Sequence, residues 1–122
     1  MGLILAIDSS AAQCAAALVC SFRILAARAE PMLKGQAERL APLVRELLAE
    51  AGAEPWDLGG IAVCTGPGNF TGVRIGVAFA RGLALSVGCP AVGVPRLQAL
   101  AAGPKGRVVA TAEARQGEVH AQ

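Results

Sequence analysis

Residues 65–81 read Thr65-Gly66-Pro67-Gly68-Asn69-Phe70-Thr71-Gly72-Val73-Arg74-Ile75-Gly76-Val77-Ala78-Phe79-Ala80-Arg81, a tight turn that feeds a helix. Just before it, Ile61-Ala62-Val63-Cys64 is a short apolar run closed by turn residues, the pattern of a buried strand. Gly66, Pro67 and Gly68 turn the backbone sharply, since glycine accepts dihedrals that other residues avoid and proline fixes its own φ. Thr71 is the expected N-cap, through a hydroxyl that accepts a hydrogen bond from an early helical N–H. Gly72, Gly76, Ala80 and Ala84 recur every fourth residue, so one face of the helix has almost no side-chain bulk. Two glycines inside a helix cost about 1 kcal/mol each relative to alanine. That cost implies the close approach of another backbone.

Composition sets the outer limits. At 122 residues, 54% hydrophobic and a mean hydropathy of +0.52, the chain is one domain's worth of sequence and can bury a core. Aromatic residues are only 3%, which leaves few stacking platforms for nucleic-acid bases. The net charge of +2 is spread without a basic run, so electrostatics alone argues for neither RNA nor a membrane surface. Met1 to Asp8 lacks a basic leader, and the long apolar helix carries Arg74 and Arg81; the expectation is a cytoplasmic protein with no membrane partner. Cys14, Cys20, Cys64 and Cys89 form no Cys-x-x-Cys pair and read as reduced packing thiols.

In chain order, residues 3–7 are a continuous apolar strand ended by Asp8-Ser9-Ser10. Residues 14–20 and 24–28, joined at Ser21-Phe22, add two strands and make an antiparallel start. Period 3.6 takes over across residues 34–51, where Ala37, Leu40, Ala41, Val44, Leu47, Leu48 and Ala51 form an apolar stripe that serves as core, partner surface or both. Glu38, Arg45, Glu46 and Glu50 read as its solvated face. Pro42 should bend this helix or end a loose first turn, and Gly52 should cap it. A turn at Pro55-Trp56-Asp57 leads to the strand 61–64 and the helix 71–87, capped by Gly88. Residues 91–94 are a short strand, 95–102 a brief helix, and 107–113 and 118–122 two strands about a turn at 114–117. The order predicts an α/β fold, a mixed sheet of the actin-like and ribonuclease H-like plan with helices packed on it. Residues 1–106 would form its first lobe and 107–122 begin a second.

Asp8 falls at the carboxyl end of the first strand beside two hydroxyl residues, where open α/β sheets bind ligands; the alternative is an aspartate bonded to its own turn. Asp8, Ser9, Ser10, Gly66 and Gly68 are the candidate nucleotide-binding residues. A glycine-rich turn at a helix start can cradle an anion, but Val73 occupies the place of the lysine in a phosphate-binding loop. His120 is the only histidine and lacks spaced metal partners, so no metal site is expected. Ser9 and Ser10 have no base in sequence, and no Gly-x-Ser-x-Gly elbow exists. No catalytic residue is assigned.

Four blocks in order carry a resemblance: residues 3–10, residues 38–43 (Glu-Arg-Leu-Ala-Pro-Leu), residues 66–76 and residues 114–119 (Ala-Arg-Gln-Gly-Glu-Val). Together they resemble the bacterial TsaB family, also called YeaZ, with Gly-Pro-Gly-x-Phe-Thr-Gly-x-Arg as the specific block. The likeness spans the chain and about the first half of the family's usual length. It implies a non-catalytic subunit in the synthesis of N6-threonylcarbamoyladenosine in tRNA. The implied partners are a TsaD-like catalytic subunit that carries the metal site and a TsaE-like ATPase, with ATP or ADP and Mg at the level of the complex, tRNA contacted indirectly, and a homodimer through the same helical face. Gln36 stands where many relatives have His, and Glu113 where many have Asp.

On that reading the helices at 34–51 and 71–87 pack against the equivalent pair of another chain. The expected interface is Leu40, Leu43, Leu47, Gly72, Arg74, Gly76, Ala80, Leu83 and Ala84. A second reading is a small actin-like nucleotide-binding enzyme using Asp8 and the Gly66 loop. A third, a glycoprotease of the related M22 group, has neither nucleophile nor metal ligands in the sequence.

Overall fold

The computed structural model describes residues 2–95 apart from Phe22, Pro67 and Asn69. The helix expected at 95–102, the strands at 107–113 and 118–122, His120, Glu113 and the second lobe lie outside the described residues. Within them the elements run β1 (Leu3–Asp8), β2 (Gln13–Cys20), β3 (Arg23–Pro31), α1 (Gln36–Ala51), a 3-10 turn (Pro55–Asp57), β4 (Leu58–Cys64), α2 (Phe70–Val87) and β5 (Ala91–Val94). The sheet order is β3-β2-β1-β4-β5. β1, β2 and β3 pair antiparallel, whereas β4 pairs parallel with both β1 and β5. The two kinds of pairing reflect the connections: tight turns join the first three strands, while helices carry the chain to β4 and β5.

β1, β2 and β4 lie inside the sheet and are buried on both faces, which is why they read as unbroken apolar runs. β3 is an edge strand with Ile24 and Leu25 exposed. β4 starts three residues earlier than its apolar run suggests, because Gly59 and Gly60 belong to it. Register shifts between Leu3 and Ile4, and a side chain at Gly59 would meet the Gly2 backbone at 3.4 Å. Glycine there permits two backbones to approach, a role that no propensity reading of a Gly-Gly pair contains.

One face of the sheet receives both helices. Leu5, Ile7, Ala16, Leu18, Ile61 and Val63 pack with Leu40, Leu43, Val44, Leu47 and Leu48 of α1 and with Ala80 and Ala84 of α2. Ile4, Ala6, Ala17 and Val19 form a second buried cluster from the other face of β1 and β2. α1 runs unbroken through Pro42, contrary to the expected bend or early end. The bond that Pro42 cannot donate falls within two turns of the helix start, and burial of the leucine stripe, about 1.5–3 kcal/mol per side chain, outweighs its loss. Gly52 closes α1 in the left-handed region (φ 68), with its N–H on Ala49 O and the Ala53 N–H on Leu48 O. α2 begins at Phe70, so Thr71 lies inside its first turn and is not the cap.

Most of the residues expected at a docking interface are buried within this chain. Leu40, Leu43 and Leu47 are 0–1% exposed and belong to the core of this chain. Gly72, Gly76, Ala80 and Ala84 are buried too, against the chain's own sheet. A Cβ built at Gly76 would lie 2.7 Å from Ser9 Oγ and 3.3 Å from Val63 Cγ2. The close approach read from the small residues is real, but it is intramolecular.

The charged face of α1 is not merely solvated. Arg39 forms a two-pronged pair with Glu30 of β3 (Nε to Oε1 and Nη2 to Oε2, both 2.7 Å) and also reaches Glu46. Arg28 of β3 reaches Glu46 and Glu50, each at 2.7 Å. The network fastens the edge strand to α1. Hydrogen bonds from Arg39 hold the Glu30 and Glu46 carboxyls below the ordinary carboxylate range.

A carboxyl whose folded value is depressed contributes stability above its unfolded value and loses it as pH falls through the folded one. Arg39→Gln is therefore expected to flatten the loss of thermal stability between neutral pH and about pH 3, with a small amplitude because the pairs are partly exposed. Thermal unfolding against pH checks this. In α2, Gly76→Leu is expected to abolish folding or cost several kcal/mol. Gly82, whose added Cβ meets nothing within 4 Å, should accept alanine with a gain of about 0.5–1 kcal/mol. Urea unfolding of the two variants gives opposite signs if α2 is seated as described.

Candidate functional site

The loops after β1 and β4 and the start of α2 meet at the carboxyl ends of the parallel strands, where the sequence placed its nucleotide candidates. Asp8 is 4% exposed, Ser9 1% and Ser10 fully buried. Ser10 donates twice to Asp8 Oδ1, from its N–H at 2.9 Å and its hydroxyl at 2.6 Å, and its hydroxyl lies 3.3 Å from Cys64 Sγ. Ser9 Oγ donates to the Gly72 carbonyl at 2.7 Å. Asp8 therefore does what the alternative reading gave it, accepting from its own turn. The arrangement joins β1, β4 and α2 from within and gives no support to direct phosphate contact by these three side chains. Gly66, also buried, takes φ 94, a conformation open to glycine. Gly68 is exposed. Next to Gly66, Thr65 bonds Val94 O through its N–H (2.9 Å) and its hydroxyl (3.2 Å), closing the β4 and β5 ends.

The outer face of α2 has the opposite character. Phe70 is 71% exposed and Leu85 86%, and Arg74 stands over the Phe70 ring at 4.9 Å from its centroid. Arg74 is exposed, whereas Leu83 is half-buried and packs against the core, so of the expected interface Arg74 is the residue that faces outward. Phe70 and Leu85 were missed. The available signal was that α2 is apolar all round, with a mean hydropathy of 1.3 over 18 residues of which only 22% are buried. By length and composition this helix could cross a membrane, but one of its faces is seated on the sheet and its other face carries Arg74 and Arg81. A helix with apolar groups on both sides and one covered side leaves apolar surface exposed on the other.

Among the described residues no group of three or more His, Cys, Asp or Glu could hold a metal ion. All four cysteines are free thiols, and burial pushes the Cys14 thiol up, which keeps it protonated and unreactive.

Residues 30–122 match the family model described as TsaD: tRNA N6-adenosine threonylcarbamoyltransferase. The chain belongs to this family. Within it the chain is a TsaB/YeaZ-type member. It is 38% identical over 122 residues to the tRNA threonylcarbamoyladenosine biosynthesis protein TsaB of Escherichia coli K12, covering 96% of this chain and 52% of that protein. TsaB of Bacillus subtilis is likewise 38% identical, with the same coverage. Among solved structures, YeaZ from Pseudomonas aeruginosa superposes with a TM-score of 0.79 at 39% identity, over 84% of this chain and 47% of that one. The chain thus spans about half the length of the relatives it matches. RuvC of T. thermophilus, at a TM-score of 0.64 and 15% identity, shares the fold alone. The ribonuclease H-like, actin-like α/β fold expected from the element order is the one observed.

Ser9→Ala is expected to lower folding stability by about 1 kcal/mol through loss of the bond to Gly72. Chemical denaturation checks the figure. Association with a partner should be unchanged, since Ser9 has no outward surface.

Proposed function

We propose that this protein is an accessory, non-catalytic subunit in the formation of tRNA N6-threonylcarbamoyladenosine, and that it docks a TsaD-type catalytic chain through the outer face of α2. The observation that supports the docking mode most directly is the exposure of Phe70 and Leu85 at opposite ends of a helix whose inner face is already committed to the sheet. An exposed aromatic residue with an arginine stacked on it is the type of side-chain pair that dominates binding energy at interfaces. Arg74 completes the proposed surface.

The same reading places a TsaE-type ATPase, with ATP or ADP and Mg, at the level of the complex. It has tRNA reach the catalytic chain without an RNA-binding platform here, and it sets the work in the cytoplasm. A homodimer would use the same outer face and would compete with the catalytic chain for it. The nucleotide-enzyme alternative draws no support from Asp8, Ser9 and Ser10, whose polar atoms bond within the chain.

Phe70→Glu and Leu85→Glu are each expected to weaken association with the TsaD-type subunit on the order of tenfold or more, from lost apolar contact and a stranded charge. The thermal midpoint should stay near that of the parent, because both side chains are already in solvent. Titration calorimetry with the purified catalytic chain reads the effect. Unchanged affinity in both variants would remove α2 as the docking helix.

A further inference from the structure

A cavity of about 430 Å³ lies where the starts of α1 and α2 come together, lined by residues that include Lys34, Gly35, Gln36, Ala37, Glu38 and Thr71. Phe70 is not among its lining residues, although Thr71, the next residue in the chain, is. The first N–H groups of a helix have no intrahelical acceptor, and at α1 these belong to Gln36, Ala37 and Glu38. Its N-cap is Gly35, in the left-handed region at φ 100, which brings no side chain to accept them. Lys34 adds a cation beside this uncapped end, and Thr71, displaced from the capping role, has a hydroxyl with no partner among the described residues. None of these groups has an acceptor among the described residues.

Gln36 points to a ligand on independent grounds. It is only 4% exposed, yet its side chain makes a single long bond, from Nε2 to the Met32 carbonyl at 3.4 Å. Its amide oxygen receives no donor among the described residues. A buried acceptor left without a donor is costly, so a glutamine here is accounted for best by a group that arrives with a hydrogen to give. The cavity therefore asks for several acceptor oxygens, negative charge, and one O–H.

We infer that this cavity is a binding site for a protonated phosphate group, either hydrogenphosphate or the singly protonated head of a phosphate monoester. The oxygens accept from the α1 N–H groups, Thr71 Oγ1 and Lys34, while the P–OH donates to Gln36 Oε1. Near neutral pH inorganic phosphate always keeps at least one proton, a monoester with its second pKa at about 6 keeps one in part of the population and gains it on binding, and sulfate has the same shape and none. Glu38 is the carboxylate among the lining residues; being exposed, it is screened by solvent and opposes the anion only weakly.

The test is a calorimetric titration of the full chain with inorganic phosphate and with sulfate, at neutral pH and fixed ionic strength. Phosphate is expected to bind about tenfold more tightly than sulfate, since sulfate leaves Gln36 Oε1 unpaired. Gln36→Leu should erase that preference by weakening phosphate and sparing sulfate. Lys34→Ala should weaken both anions alike, by severalfold, and keep the preference. Should Gln36→Leu fail to fold, the parent's own preference and Thr71→Val, which weakens both anions, carry the decision. Titration with an alkyl phosphate monoester distinguishes an esterified ligand from free phosphate, the tighter of the two naming the source. Absence of saturable phosphate binding, equal affinity for the two anions, or a preference that survives in Gln36→Leu would each overturn the site.

Discussion

The contact on which this fold depends is the one between the small face of α2 and the ends of β1 and β4. Gly76 leaves room for Ser9 Oγ and Val63, and the Gly72 carbonyl accepts the Ser9 hydroxyl at 2.7 Å. With a side chain at Gly76 the helix would have to lift from the sheet, uncovering Ile7, Val63, Ala80 and Ala84 together. The loop after β1 is shaped by the same demand. Ser9 bonds the helix and Ser10 bonds Asp8, so a stretch of small polar residues becomes a buried joint between two strands and a helix.

That joint divides the labour of α2. Its inner face is consumed by the fold, and its outer face, with Phe70, Arg74 and Leu85, stays in solvent and forms the proposed docking surface. A docking role and the absence of an assigned catalytic residue fit one another here. The polar groups that an actin-like enzyme would aim at a phosphate are, in this chain, bonded inward. Free donors lie elsewhere, at the uncapped start of α1, beside a glutamine buried with half of its amide unmatched.

Much of the architecture was legible because its signals are local. The apolar runs of β1, β2 and β4 are unbroken since all three strands are covered on both faces, and α1 shows its period because one side meets the sheet. Gly52 and Gly88 were readable as caps since a positive φ at a helix end favours glycine. The extra residues of β4 were not readable: Leu58 and Gly60 pair with β1, and the Gly2 backbone passes close to Gly59, neither of which is a local signal. The ion pairs of Arg28 and Arg39 with Glu30, Glu46 and Glu50 were equally hidden, since they join an edge strand to a helix across gaps of up to 22 residues.

By itself the sequence determined the order of elements, the family, and the fact that a bulk-free helix face must meet another backbone, since periodicity, turn chemistry and glycine cost are properties of neighbours along the chain. Only the tertiary structure decided which backbone that is. A stripe of Gly and Ala is equally suited to a partner helix and to the chain's own sheet, and the choice depends on whether Ser9 and Val63 arrive beneath it. They do, and on the opposite side of α2 Phe70 and Leu85 remain in solvent because the sheet can cover only one face of a helix.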